Sequence, residues 1–176
     1  MKKLCFLIVF VAFFTFSLHG GKVMELKVSS VFSNGDFIPV KYTCDGDDVS
    51  PEIKIDNVPT NAKSLVLIND DPDAPMGTWD HWILFNIPPN YTVIPEGIKP
   101  EKEFSNGMRH GLNSWGKVGY GGPCPPSGVH RYYFKVYALD VVLDLPPGVS
   151  KSKLLKAMEG HIIAKGELMG KYSRKR

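Results

Sequence analysis

Nothing in these 176 residues points to a fibre, an array or a disordered chain. There is no internal repeat, low-complexity stretch or internal linker, and 43% hydrophobic with 22% charged residues is ordinary globular composition. The length suffices for one domain with a real core. Long apolar runs are missing too, with one exception. Leu4 to Leu18, interrupted only by Thr15 and Ser17, follows Lys2 and Lys3, and no acid precedes Glu25. A spanning helix needs ~20 apolar residues, so this shorter run predicts a cleaved secretory signal over residues 1–20 and an exported protein, periplasmic or secreted. An uncleaved signal that anchors the chain to a membrane is the alternative.

Charge of one sign is scarce. The formal charge of +3 falls to +1 once Lys2 and Lys3 leave with the signal. The only basic cluster is the end of the chain, Lys171 to Arg176, of which residues 173–176 read as a solvated tail beyond a domain spanning 22–172. A nucleic-acid partner is therefore not expected, because such proteins gather basic residues on one face. Cysteine is equally scarce. With Cys5 in the signal, Cys44 and Cys124 remain as an even pair in an oxidising compartment. A disulfide between them would close an 80-residue loop and contribute about 4.5 kcal/mol in the chain-entropy model. Two buried thiols are the other reading.

Catalytic signatures are absent. No serine sits on a Gly-x-Ser-x-Gly elbow, Ser127 is only three residues from His130, and Gly119-Tyr-Gly-Gly-Pro123 lacks the Lys-Ser/Thr ending of a phosphate-binding P-loop. No catalytic residue and no cofactor is predicted. Asp71, Asp73, His81 and His130 are good ligand types for zinc, manganese or iron, but they lack tight histidine spacing. No metal site is predicted, and a metal-dependent hydrolase ranks third among the functional readings.

What the chain does contain is 14 prolines and 17 glycines spread between short apolar runs, the punctuation of a β-rich domain. Strands are predicted over 24–32, 52–58, 64–69, 81–87, 131–139 and 161–169. Ser64-Leu-Val-Leu-Ile68 and Tyr132 to Leu139 are nearly continuous in apolar or aromatic residues, as central strands covered on both faces should be. One helix is predicted over about 151–159, with Ser150 as cap, Leu154, Leu155 and Met158 on its buried face, and Gly160 at its end. Lys151 and Lys153 oppose the helix dipole there, so packing must hold it.

Two segments concentrate polar groups. Asp71-Pro-Asp-Ala-Pro75 is a proline-stiffened turn that runs into Trp79-Asp-His-Trp82, whose tryptophans are expected to floor a pocket around His81. Gly122-Pro-Cys-Pro-Pro-Ser-Gly128 runs into His130-Arg-Tyr132, where His130 and Tyr132 share one strand face. Gly119 to Gly122 could offer an anion nest of backbone N–H groups. Together the segments read as two walls of one anion pocket. The aspartates must then either orient and charge the histidines or meet the ammonium end of a zwitterion.

These residues closely resemble the two signature segments of the phosphatidylethanolamine-binding proteins, also called Raf kinase inhibitor-like proteins. The resemblance extends through Thr43-Cys-Asp-Gly46, Ser50-Pro51, Tyr137-Ala-Leu-Asp140, Ala157 to His161 and Gly170-Lys-Tyr172, in the manner of the bacterial and archaeal branch. It implies a mostly β fold: a large central antiparallel sheet flanked by a smaller sheet and one or two short helices. It also implies a small pocket for phosphate, acetate, cacodylate or phosphorylethanolamine. Asp71, His81, His130 and Tyr132 would contact the anion, Gly122 and Pro123 would line the mouth, Asp73 would support the turn, and an Asp-Pro or Gly-Pro bond beside the pocket could be cis. The implied partners are a small phosphorylated or anionic ligand and phospholipid headgroups at a membrane surface. The chain lacks the extra C-terminal helix of animal members, and export would put cytosolic kinases out of reach. A secreted serine protease inhibitor is the runner-up.

Overall fold

The structure, a computed structural model, describes residues 23–174, so the expected signal over 1–20 and the last two residues of the chain lie outside the described residues. In chain order the elements are β1 (Met24–Glu25), β2 (Lys27–Ser29), a 3-10 turn (Val40–Tyr42), β3 (Ile53–Asp56), β4 (Ser64–Asp71), β5 (Trp79–Ile87), β6 (Val93–Ile94), β7 (Arg109–His110), β8 (His130–Leu139), helix α1 (Lys151–Met158) and β9 (Ile162–Tyr172). A six-stranded sheet runs β1-β9-β8-β4-β5-β7, and a three-stranded sheet runs β2-β3-β6. The fold is thus mostly β, a large sheet with a smaller one and a single helix among the described residues.

The large sheet is antiparallel except at one edge, where β1 pairs in parallel with β9. The predicted single strand 24–32 is in fact split. Its first half joins the large sheet, Leu26 donates its N–H to the Lys165 carbonyl, and its second half pairs with β3 in the smaller sheet. A short crossing strand can serve two sheets only by changing partners partway.

β4 and β8 occupy the centre of the large sheet. All eight residues of β4 are buried, whereas β8 alternates, with Tyr133, Lys135 and Tyr137 only half-buried. The expectation that both faces of β8 are covered fails because α1 lies over β4 and β5, packing Leu154 and Met158 on Val66, Ile68, Ile83 and Phe85. On the other face Trp82, Leu84, Tyr132, Phe134 and Val136 meet Ile53, Ile55 and Ile94 of the smaller sheet. Each fully buried large side chain there contributes roughly 1.5–3 kcal/mol by leaving water.

α1 departs from expectation in two details. Ser150 makes no side-chain cap; its hydroxyl lies 3.2 Å from that of Ser152 instead. Leu155 is exposed, because an eight-residue helix resting on a flat sheet buries only a narrow stripe. The end at Gly160 is as read, its φ of +80° being one that L side chains rarely adopt.

Candidate functional site

The site is made by one irregularity. β4 and β5 pair Asp71 with Trp79, Asp70 with Asp80, and then Asn69 with Trp82, so His81 is the extra residue of a β-bulge. Strict alternation would put His81 on the helix side of the sheet with Ile83 and Phe85. The bulge instead turns His81 to the face of Asp71, Trp79 and Tyr132, and sends Asp80 to the helix side, where Lys151 meets it. Trp82 follows His81 on the same face but runs into the core, fully buried, with its Nε1 donating to His110 Nε2 at 3.0 Å. It is therefore not a pocket floor; that wall is supplied by Trp79 and by Trp115, a loop residue not singled out in the sequence.

The result is a cleft of about 410 Å³ lined by Asp71, Trp79, His81, Trp115, His130 and Tyr132, with Ala74, Pro75, Met76, Cys124, Pro125 and Pro126 around them. The Tyr132 ring stands between the imidazoles, its centroid 5.1 Å from that of His81 and 6.5 Å from that of His130. Trp115 packs edge-on against His81 at 5.0 Å and Trp79 at 5.4 Å. Met76, 92% exposed, and Trp115, 44% exposed, give the mouth an apolar rim.

Both histidines are anchored by Nδ1. His130 Nδ1 is 2.7 Å from Asp71 Oδ2, and His81 Nδ1 is 2.7 Å from the Gly121 carbonyl oxygen. A carboxylate and a carbonyl can only accept, so each Nδ1 carries a proton, and neither Nε2 has a hydrogen-bond partner among the described residues. The carboxylate anticipated behind both imidazoles stands behind His130 only. Burial drives the His81 pKa below the usual histidine value, against the upward pull of the Gly121 carbonyl and of Asp71, Asp80 and Asp48. Burial thus favours the neutral form of His81, against the sequence expectation that the aspartates charge both histidines.

Two further donors belong to residues that line the cleft. The Tyr132 hydroxyl and Trp79 Nε1 are buried and make no hydrogen bond of good geometry among the described residues, although the Asp71 carboxylate lies close to the hydroxyl. Burial, and then the nearby Asp71 carboxylate, hold the Tyr132 hydroxyl well above the usual phenol range, so it keeps its proton. Buried donors without acceptors are rare and each carries a desolvation cost of about 1–3 kcal/mol.

The aspartates are occupied. Asp71 Oδ1 accepts the Asp73 N–H at 2.8 Å while Oδ2 holds His130. Asp73 grips Arg131 through both side-chain and backbone N–H groups, which brings its pKa down to about 2. Neither is free for a ligand's ammonium group. The Gly119 to Gly122 nest does not form either: the Gly121 N–H donates to the His81 carbonyl and the Gly122 N–H to Asp48. Gly122 and Pro123 are buried behind the cleft rather than along its lining. A Cβ on Gly122 would stand 2.6 Å from the Tyr42 carbonyl oxygen, so glycine is required there for close packing of the 42–48 segment.

Cys44 and Cys124 form a disulfide with Cα atoms 5.4 Å apart, placing Cys124 on the cleft wall. All peptide bonds among the described residues are trans, so the cis X-Pro bond implied by the family resemblance is absent. Among the described residues no group of three or more His, Cys, Asp and Glu side chains could hold a metal ion, and no helix is long and apolar enough to cross a membrane. In the expected basic tail, Arg174 is not free: it pairs with Asp45 at 2.8 Å.

A two-sheet β domain with one histidine-walled cleft is the class that fold and site define. The sequence profile of the phosphatidylethanolamine-binding protein family matches residues 28–173, and the chain belongs to that family. It is 58% identical over 160 residues to a UPF0098 protein of Pyrococcus horikoshii, covering 89% of this chain and 80% of that one. With a UPF0098 protein of Pyrococcus abyssi it shares 54% identity over 179 residues, 99% of this chain and all of that one. The crystal structure of a proposed phosphatidylethanolamine-binding protein homolog from Chlamydia trachomatis superimposes with a TM-score of 0.80 at 46% identity, covering 86% of this chain and 99% of that one. Escherichia coli YbcL, described as a member of the mammalian family, gives 0.77 at 29% identity with the same coverage.

Proposed function

We propose that this protein binds small oxyanions without turning them over, phosphate and phosphorylated headgroups such as phosphorylethanolamine first among them. The observation that carries the reading is the pair of buried donors with no acceptor, the Tyr132 hydroxyl and the Trp79 indole N–H, beside two imidazoles with uncommitted Nε2 atoms. An oxyanion supplies the missing acceptors. A singly protonated phosphoryl group does more, because its hydroxyl can donate to a neutral Nε2 while its other oxygens accept. The family's name points to the same headgroup chemistry.

A binding role without turnover fits the lining. Cys124 is held in the disulfide, and among the described residues no serine or threonine lines the cleft. Export is part of the reading, supported by the apolar run Leu4 to Leu18 and by a disulfide that persists in oxidising compartments.

The test is thermal unfolding with O-phosphorylethanolamine. Wild type gains a saturable upward shift, worth about 2.7 kcal/mol when the ligand stands at a hundredfold excess over its dissociation constant. His81→Ala and His130→Ala lose the shift. No response of wild type to phosphorylethanolamine, phosphate or sulfate contradicts the proposal. Stoichiometric inhibition of a chymotrypsin-type protease that survives both substitutions would favour the protease inhibitor.

A further inference from the structure

We propose that Lys151, on the far side of the sheet from the cleft, is a positioning residue that keeps His81 in place. Asp70 and Asp80 face each other directly across β4 and β5. Asp70 is buried, and like charges directly opposite each other push strands apart. This pair sits at the bulge, each aspartate one residue away from a cleft residue, Asp71 and His81.

Lys151 bridges them. Its Nζ donates to Asp70 Oδ2 at 2.9 Å and to Asp80 Oδ1 at 2.5 Å, while Lys135 from β8 donates to both oxygens of Asp70 at 2.8 and 3.0 Å. Two cations balance two anions, but only Lys151 touches both strands. A lysine in the first turn of a helix is electrostatically misplaced for the helix itself, so its position serves the aspartates rather than α1. With the positive charge gone, Asp80 is repelled by Asp70 at the point where the strand departs from alternation. The cheapest relief is for 80–81 to rotate, and that rotation carries His81 away from Gly121 and Trp115. Lys151 is not among the residues that line the cleft, so its action is indirect.

Lys151→Met, Lys151→Arg and the double variant Lys151→Met with Asp80→Asn decide it. The first readout is the His81 imidazole nitrogen shifts of the ligand-free protein, which register the Gly121 hydrogen bond and the Trp115 ring. The second is the affinity for O-phosphorylethanolamine. Lys151→Met should move the His81 signals and weaken binding at least tenfold, Lys151→Arg should leave both near wild type, and the double variant should regain both because no like charge remains. Lys151→Met with wild-type His81 signals and affinity overturns the proposal, as does a double variant whose His81 signals stay displaced. If Lys151→Met does not fold, the double variant alone decides. The affinity readout rests on the oxyanion reading above and the His81 readout does not, so a wild type that ignores phosphorylethanolamine sinks that reading and leaves this one testable.

Discussion

His130 and Asp71, 59 positions apart in the chain, meet on neighbouring strands with Nδ1 2.7 Å from Oδ2. That single contact fixes the tautomer of His130 and gives any positive charge on it a buried counter-ion. His81, with only a carbonyl behind it, lacks that support.

The Tyr132 hydroxyl is buried without a hydrogen bond of good geometry, a cost that a ligand oxygen can offset. Tyr132→Phe removes a buried donor with no partner, so the ligand-free protein should become more stable, by about 1 kcal/mol in a denaturant titration. Phosphorylethanolamine should bind about tenfold more weakly, the equivalent of ~1.4 kcal/mol. A variant that loses stability and keeps full affinity would mean that the hydroxyl serves the fold.

The pH response follows from His81. Its pKa in the folded protein lies below the unfolded value of about 6.5, so the unfolded chain takes up the proton first. The His81 contribution is then complete above about pH 6.5, and ligand-free stability falls as pH drops below it. Binding has the opposite sign. An oxyanion against Nε2 favours the imidazolium, so sulfate, whose own charge does not change in this range, should bind more tightly as pH falls from about 8 to about 6. Titration calorimetry in two buffers should show net proton uptake. A sulfate affinity that is flat or that rises with pH would contradict this account.

Much of this was legible in the chain. Proline and glycine punctuation with short apolar runs marked β4, β5, β8 and β9 within a few residues, and the stiff turn Asp71 to Pro75 marked one wall of the cleft. The rest was hidden for identifiable reasons. The bulge at His81 is a matter of pairing between strands, and strict alternation counted back from Ile83 misassigns the faces of His81, Asp80 and Trp79. Trp115 sits in a loop whose place is set by Asn113, which takes the backbone N–H groups of Trp115 and Lys117, and no periodicity marks that. Asp70 and Asp80 look like ordinary polar residues until they are seen paired across the sheet with Lys151 reaching over from the helix.

The disulfide should matter to stability more than any one side chain. Closing an 80-residue loop restricts the unfolded chain by about 4.5 kcal/mol. Reduction should lower the denaturation free energy by about that amount. Because Cys124 stands on the cleft wall, reduction should also weaken oxyanion binding under conditions where the protein stays folded. Unchanged stability after complete reduction, verified by thiol counting, would contradict the expectation.

The most direct test of the central claim follows the imidazole nitrogens by long-range 1H–15N correlation while O-phosphorylethanolamine is added. The cleft account predicts that the Nε2 signals of His81 and His130 move saturably together while their Nδ1 signals stay hydrogen-bonded, and that His110 and His161 do not respond. Binding that leaves both Nε2 signals where they were, or the absence of any binding, would contradict it.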